Sequence, residues 1–331
     1  MNILIANRRG KVRDSFLTKP AMEKIYTLGN VVENPYEREY TPEELRENLK
    51  DVDVVLSGWG TAPLTSDVLS KANKLKLHVH VGGSVAAYIS PEEFQRGVTV
   101  LSGNEIFAYS VAEGCLCYIL TALRRVPKYL QITKDNGWKS DSDLFFEGLL
   151  YKKVGIVGYG AIAKYICRLL KPFQVKLYIY SSHHVEEEGA TMASLDEIFE
   201  NCDIISLHNA WNKQTEGMIK KEHLAKIKDG ALFVNTARAP IVDEEAMLEE
   251  FSKERFNAVL DVYHQEPLSM ESPLRRMKNV MLFPHMAGPT MDMREQVGIA
   301  LAEDIESFIN GKPCKNVVTA EQASRMTIEK R

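Results

Sequence analysis

Val154-Gly155-Ile156-Val157-Gly158-Tyr159-Gly160-Ala161-Ile162-Ala163 is an apolar run that breaks into closely spaced small residues and then re-enters a helical pattern. It reads as a strand, a tight turn and a helix. Gly158 permits the turn, Gly160 lets the backbone approach a pyrophosphate, and Ala163 stands where close helix–strand packing calls for glycine or alanine. Phosphates would sit on the N-terminus of the helix, where N–H groups lack intrahelical partners. One such fingerprint also occurs wherever a buried strand meets a helix through glycines, so its meaning depends on what surrounds it.

Downstream, short apolar segments at 154–157, 175–180, 204–207, 232–235, 258–261 and 280–283 alternate with helical or turn-rich stretches. That regularity predicts a doubly wound parallel sheet, and a fingerprint that opens such a sheet points to a dinucleotide. About twenty residues past the glycines an acid is expected for the adenosine ribose. The chain instead has Tyr180-Ser181-Ser182-His183-His184. Ser182 and the histidines suit a 2′-phosphate, yet no arginine stands there, so NAD and NADP both remain open.

Upstream, residues 3–6, 52–56, 77–81 and 98–101 read as strands, and Thr41-Pro42-Glu43-Glu44-Leu45 as a helix start. This is a smaller α/β unit. Loops after parallel strands face the ligand crevice, which brings forward Asn7-Arg8-Arg9, Ser57-Gly58-Trp59-Gly60 and Gly82-Gly83-Ser84-Val85. Gly82, Gly83 and Ser84 can present backbone N–H groups to an anion such as a carboxylate, or form a turn that merely needs glycine. Trp59 reads as a substrate wall or a loop anchor, and His78 and His80 as structural. Between the units a helical pattern runs from about Tyr109 to Gln131, with Val111, Cys115, Tyr118, Ile119 and Ala122 on one stripe. A second subunit is one way to bury that stripe; packing within the chain is the other.

Composition narrows the classes. A chain of 331 residues, 45% apolar, calls for two domains with ample cores. Its net charge of −4 leaves no electrostatic footprint for nucleic acid. Met1-Asn2-Ile3-Leu4-Ile5-Ala6 runs straight into a strand without the basic lead of a signal peptide. No run of about twenty apolar residues suggests a membrane span. Five scattered cysteines, without metal-type spacing, point to reduced thiols in a cytoplasmic protein and to no metal site.

Further motifs follow the fingerprint in order: Ser206-Leu207-His208, Asn235-Thr236-Ala237-Arg238, Val242-Asp243-Glu244, Asp261-Val262-Tyr263-His264-Gln265-Glu266-Pro267 and Pro284-His285-Met286-Ala287-Gly288. In this order and spacing the chain resembles the D-isomer-specific 2-hydroxyacid dehydrogenase family over most of residues 100–290. The tail Phe308-Ile309-Asn310-Gly311-Lys312-Pro313 resembles the family's return to the first domain. The resemblance implies an α/β protein of two Rossmann-like or flavodoxin-like domains with parallel sheets and an active site in the interdomain cleft. Residues 1–103 with 290–331 would bind the substrate, and residues 104–289 would bind NAD or NADP. It also implies a homodimer acting on a small 2-keto or 2-hydroxy acid.

By the same resemblance Arg238, Glu266 and His285 are the catalytic set. Reducing a 2-keto acid builds negative charge on the carbonyl oxygen, so a proton donor and a fixed cation are both needed. His285 would supply the proton near neutral pH. Glu266 would orient the imidazole and favour its charged form. Arg238 would offer carboxylate and carbonyl oxygens a planar fork that lysine lacks. Gly158, Tyr159, Gly160, Ala161, Ile162, Ser181, Ser182, His208, Asn209, Thr215, Thr236, Ala237 and Ala287 would line the cofactor, with Asp261 facing the nicotinamide carboxamide. Trp59, Gly82, Gly83 and Ser84 would join Arg238 and His285 at the substrate.

Departures from the family pattern fall on the substrate side. Asn104-Glu105-Ile106-Phe107 replaces a Pro-Gly-x-Asn segment, Ala86-Ala87 replaces an acid and an amide, and Ala239-Pro240 follows the arginine where glycine is common. With Trp59, Phe107 and Arg8-Arg9 nearby, these suggest a bulkier or sugar-derived acid. A reading of another class is a nicotinamide-sensing, corepressor-like binding protein, since such proteins resemble the same family.

Overall fold

Short apolar segments bounded by turns become strands because helices on both faces of a parallel sheet keep them dry. The computed structural model describes residues 1–144 and 146–328. Phe145 and residues 329–331, inside the two expected domains, lie outside the described residues, as does the side chain of Ser142. Two sheets form, and every strand pairing in them is parallel. The first holds β1 (Asn2–Ile5), β2 (Asn30–Glu33), β3 (Val54–Ser57), β4 (Leu77–His80) and β5 (Thr99–Ser102), in the order β2-β1-β3-β4-β5. The second holds β6 (Lys153–Val157), β7 (Lys176–Tyr180), β8 (Ala190–Met192), β9 (Ile204–Leu207), β10 (Leu232–Asn235), β11 (Asn257–Leu260) and β12 (Val280–Leu282). Its order is β12-β11-β10-β9-β6-β7-β8.

The chain divides into two compact units, Met1–Ala108 with Pro289–Arg331, and Tyr109–Gly288. In the first, alternation along the strands feeds two cores. Ile3, Ile5, Leu56, Val79 and Leu101 meet Val297, Leu301 and Ile305 of the helix Met291–Ile309. Leu4 and Val55 point the other way, onto Leu45, Leu49, Val68 and Leu69. In the second unit Val154 and Ile156 pack on Ala163, Ile166, Cys167 and Leu170 of the helix Ala161–Leu170. Val157, Leu207 and Phe233 pack on Phe199 and Phe251 across the sheet.

β2 and β8 have no counterpart in the strands expected from sequence. Both are edge strands, half exposed along their length, so neither carries the continuous apolar run that marks a strand buried on both faces. The helical pattern expected from Tyr109 to Gln131 is also corrected. One helix covers Asn104–Leu123, a second Val126–Lys134, and Arg125 between them takes a left-handed φ of 49°. Pro127 is the cause: inside a continuous helix it would lose a hydrogen bond and clash with the preceding turn, whereas the first turn of a new helix accepts it. The boundary between the units falls within the first of these helices, between Ala108 and Tyr109.

That helix corrects a second expectation. Its 20 residues, with a mean hydropathy of 1.7, are apolar enough by length and composition to cross a membrane. Glu105 and Glu113 interrupt the run in sequence and hide it there. Ala112, Cys115 and Ile119 on its stripe are fully buried in the core of the second unit.

The helix Met291–Ile309 runs against the helices Lys11–Phe16 and Lys19–Thr27, and Gly298 permits the close approach: a Cβ there would lie 1.8 Å from the Phe16 carbonyl oxygen. Gly298→Ala is therefore expected to destabilise the first unit by about 1–3 kcal/mol, as overpacking does. Urea denaturation followed by the fluorescence of Trp59, with Trp138 and Trp211 replaced by Phe in parent and variant alike, measures this, and a parent-like midpoint would show that the contact yields freely.

Candidate active site

Strand order in the second sheet reverses at β6 and β9, which opens a crevice at their carboxyl ends. Gly158 leaves β6 with φ of 92°, and a Cβ on it would lie 2.8 Å from the Asn209 backbone nitrogen beyond β9. Only glycine suits both the conformation and the approach. Gly160 caps the helix Ala161–Leu170 without a side-chain bond, and the space where its Cβ would project is open. The first-turn amides of that helix thus face no cap of the protein's own.

Polar side-chain atoms are buried against this turn. His208 Nε2 lies 2.9 Å from Ser206 Oγ. Its Nδ1, like Asn209 Oδ1, is buried without a hydrogen-bond partner. Buried polar atoms of this kind are costly unless a ligand completes them. Two of the residues expected at the cofactor therefore hold unmet hydrogen-bonding capacity beside the fingerprint, as a dinucleotide site requires. Thr215 does not. Its hydroxyl donates to the Ala210 carbonyl at 2.6 Å and accepts from the Asn212 N–H at 3.0 Å, which staples its own loop. Ser181 Oγ accepts the His183 N–H at 3.2 Å, and Ser182 is exposed.

The acid missing after β7 has a near neighbour that sequence spacing does not reveal. Tyr159 of the fingerprint donates its hydroxyl to Glu187, and Lys171 sits 3.4 Å from the same carboxylate. Burial and this bond both push the Tyr159 phenol up. Glu187 lies in a long turn whose length no fingerprint specifies.

Arg238, Glu266 and His285 follow β10, β11 and β12, three neighbouring strands. Asn235, which the sequence reading did not single out, is the staple of the first loop: its side chain accepts the Ala237 N–H at 3.0 Å and donates to the Arg238 carbonyl at 3.1 Å. Arg238 Nη1 donates to the Ala237 carbonyl at 2.7 Å. Glu266 Oε1 accepts the Tyr263 N–H at 3.0 Å, and Oε2 lies 2.7 Å from His285 Nδ1. Burial pushes the Glu266 carboxyl up, but the bonds from His285 and Tyr263 and the charges of His285 and Arg238 outweigh it and hold the carboxyl below its ordinary value. Glu266 is thus an ionised acceptor that orients His285, with the ring's Nε2 left for other chemistry.

His285 itself adopts a left-handed φ of 57°. Asp261 makes that turn tolerable: its Oδ1 accepts the Met286 N–H at 2.7 Å and its Oδ2 the Ala287 N–H at 2.9 Å. Both oxygens expected to meet a nicotinamide are engaged with the loop that carries the histidine. Burial raises the Asp261 pKa against those two bonds. Thr236, Ala237 and Ala287 are buried behind these loops, and Ile162 is half-buried on the fingerprint helix. Cys115 is buried beside Ser206, its Sγ 3.5 Å from the hydroxyl, and burial pushes its thiol up, which suits packing and not redox chemistry.

In the first unit Trp59 meets Phe16 and Phe107 edge-on at 5.5 and 5.9 Å, with the Arg294 guanidinium 5.8 Å from its ring centre. It also lines a small cavity with Ser84, Ala87, Tyr88 and Thr327. The single hydroxyl proton of Ser102 on β5 is shared between the carbonyls of Gly82 and Gly83, at 3.1 and 2.5 Å. In a trans peptide the N–H points opposite to its carbonyl, so the N–H groups of Gly83 and Ser84 face away from Ser102. Ser84 Oγ donates to the Thr327 carbonyl at 2.7 Å.

Burial pushes the His208 pKa down to about 4. An unfolded chain takes up a proton there below pH 6.5 that the folded chain refuses, so stability falls as pH drops from about 6.5 to about 4, by on the order of 3 kcal/mol. The unfolding midpoint of ligand-free protein should therefore fall less steeply over that window in His208→Gln than in the parent. Parallel curves would assign the loss to other groups.

Residues 116–287 match the family model described as D-isomer specific 2-hydroxyacid dehydrogenase, NAD binding domain. The chain is 31% identical to the D-3-phosphoglycerate dehydrogenase of Archaeoglobus fulgidus over 258 residues, 76% of this chain and 49% of that one. It spans about half the length of the D-3-phosphoglycerate dehydrogenases it matches. It is also 31% identical to the glyoxylate reductase of Thermofilum pendens over 297 residues, 87% of each chain. A solved glyoxylate reductase from Paecilomyes thermophila shares the fold, with a TM-score of 0.78 at 22% identity over 97% of this chain and 98% of that one. Taken with the fingerprint turn and the loops of β10, β11 and β12, these matches show that the chain belongs to the D-isomer-specific 2-hydroxyacid dehydrogenase family.

Proposed function

We propose that this protein interconverts a 2-keto acid and the corresponding D-2-hydroxy acid, with NADH or NADPH as partner. The observation that carries the reading is the Glu266–His285 pair, 2.7 Å apart, with the charge of Arg238 acting on the same carboxylate. A dinucleotide held at Gly158, Gly160 and the first turn of the helix Ala161–Leu170 would supply or accept the hydride. His285, held by Glu266 through Nδ1, gives a proton from Nε2 to the carbonyl oxygen in reduction and takes it back in oxidation. Arg238 binds carboxylate and carbonyl oxygen as charge builds on the latter. Asp261 positions the histidine by clamping Met286 and Ala287. The N–H groups of Gly83 and Ser84 are the candidate seat of the substrate carboxylate in the first unit. The cavity beside Ser84 holds only about 20 Å³, the room of a single water, so an acid with a body larger than glyoxylate rests on the aromatic residues Trp59 and Phe107 and not on that cavity.

Glu187 favours NADH. A carboxylate beside the fingerprint's Tyr159 repels a 2′-phosphate and can accept from a ribose hydroxyl. The protein in this reading is a cytoplasmic homodimer, the dimer resting on the family alone, since the stripe of Asn104–Leu123 packs within the chain.

Nicotinamide absorbance during reduction of a panel of 2-keto acids, from glyoxylate and hydroxypyruvate to aromatic and sugar-derived acids, tests the activity. His285→Ala is expected to lower kcat by about 10²–10⁴-fold on the accepted acid. Coenzyme binding without turnover of any acid would turn the reading to the sensor alternative. Glu187→Gln is expected to narrow the preference for NADH over NADPH while leaving the accepted acid unchanged; an unaltered coenzyme ratio would remove Glu187 from that role.

A further inference from the structure

Beneath the loop Gly82-Gly83-Ser84 lies a line of polar side chains that the reaction does not use. Glu93, His78, Ser57 and His80 are all fully buried. Glu93 Oε1 accepts the Ser90 N–H at 3.1 Å, and Oε2 lies 2.7 Å from His78 Nδ1. His78 Nε2 lies 2.7 Å from Ser57 Oγ, which lies 2.9 Å from His80 Nδ1. The His80 ring stacks on Tyr88, with centroids 4.3 Å apart. Its far edge meets the loop: a Cβ on Gly82 would lie 2.4 Å from His80 Nε2.

The protons along this line can be placed by elimination. An ionised carboxylate only accepts, so His78 carries its proton on Nδ1. Its Nε2 is then an acceptor and takes the Ser57 proton. Ser57 has no second proton, so His80 Nδ1 must donate to Ser57 Oγ. His80 Nε2 is left unprotonated beneath Gly82. With Glu93 ionised and both rings neutral, one carboxylate thereby sets the tautomer and orientation of a ring two groups away. An acid, a histidine and a serine in this order also activate a nucleophile in hydrolases. Here every member is sealed from solvent, so the line meets no substrate and its outlet is the loop.

We propose that Glu93, His78, Ser57 and His80 are a positioning relay that holds Gly82-Gly83-Ser84 in the geometry that seats the substrate carboxylate. The inference rests on the reading of that loop as the carboxylate site. Two observations join relay to loop. The Gly82 backbone sits on the edge of the His80 ring, at a distance no other residue would tolerate. Ser102, the register partner of His80 on β5 and on the same face of the sheet, holds the Gly82 and Gly83 carbonyls, so an imidazole and a hydroxyl both bear on the loop and fix the direction of the Gly83 and Ser84 N–H groups. If His80 loses its single orientation, one of those two restraints goes, and a displacement of the loop acts on binding of the acid before it acts on hydride transfer.

Two readouts test this on the full-length protein. Nitrogen-15 spectra of the histidine rings should show His78 and His80 both protonated on Nδ1 in the parent, and a mixed His80 tautomer in Ser57→Ala. Protonation of His80 on Nε2 in the parent would overturn the relay. Steady-state kinetics should show KM for the acid raised about tenfold in Ser57→Ala, with kcat within about twofold and KM for the coenzyme unchanged. A folded Ser57→Ala with the parent's KM for the acid, or with both KM values raised together, would also overturn it. Should Ser57→Ala fail to fold, Glu93→Gln carries the same expectations, because an amide lets the protons run in either direction. A parent that turns over no 2-keto acid would sink the proposed activity, while the ring spectra would still decide the relay.

Discussion

Parallel pairing is the constraint on which this structure depends. When every strand of a sheet runs the same way, every loop that follows a strand emerges at the same edge, whatever its distance in sequence. Gly158 after β6, His208 and Asn209 after β9, Arg238 after β10, Glu266 after β11 and His285 after β12 are gathered by that rule alone. The reversal of strand order at β6 and β9 then opens the crevice beside the fingerprint.

Gathering loops to one edge does not aim their side chains, and the aiming is done by buried carboxylates and amides. Asn235 fastens the loop of Arg238, Asp261 fastens the loop of His285, and the Tyr263 backbone fastens Glu266. Each uses a hydrogen bond formed with little water nearby, where the bond is strong and its loss costly. The same physics operates in the first unit, where Glu93 orders two imidazoles and a hydroxyl beneath a glycine loop. The loops in question are held from beneath by hydrogen-bonded polar groups.

Burial decides the charge states that make this work. Glu266 stays ionised because its partners outweigh the cost of burial, whereas burial drives His208 to the neutral form. A neutral His208 keeps Nε2 on Ser206 and leaves Nδ1 to offer beside the fingerprint. A charged imidazole in that place would cost stability.

Much of this was legible in the chain itself. Periodic apolar runs determined the two parallel α/β units, because strands buried on both faces must be continuously apolar, and Gly158 and Gly160 determined a turn that only small residues can make. Motif order placed Arg238, Glu266 and His285 after successive strands and identified the family. Tertiary structure alone decided the rest. The edge strands β2 and β8 lack a burial pattern to read, and the break at Arg125 depended on which turn of a helix would take Pro127. Asp261 proved to clamp a backbone, and Glu187 to reach Tyr159 across a turn of unspecified length. His78 and His80 looked like ordinary strand residues until folding set them against Ser57 and Glu93. Local sequence determines which segments must be dry and which turns are possible; which polar groups then meet is a matter of long-range packing, because partners 15 to 28 residues apart share no local signal.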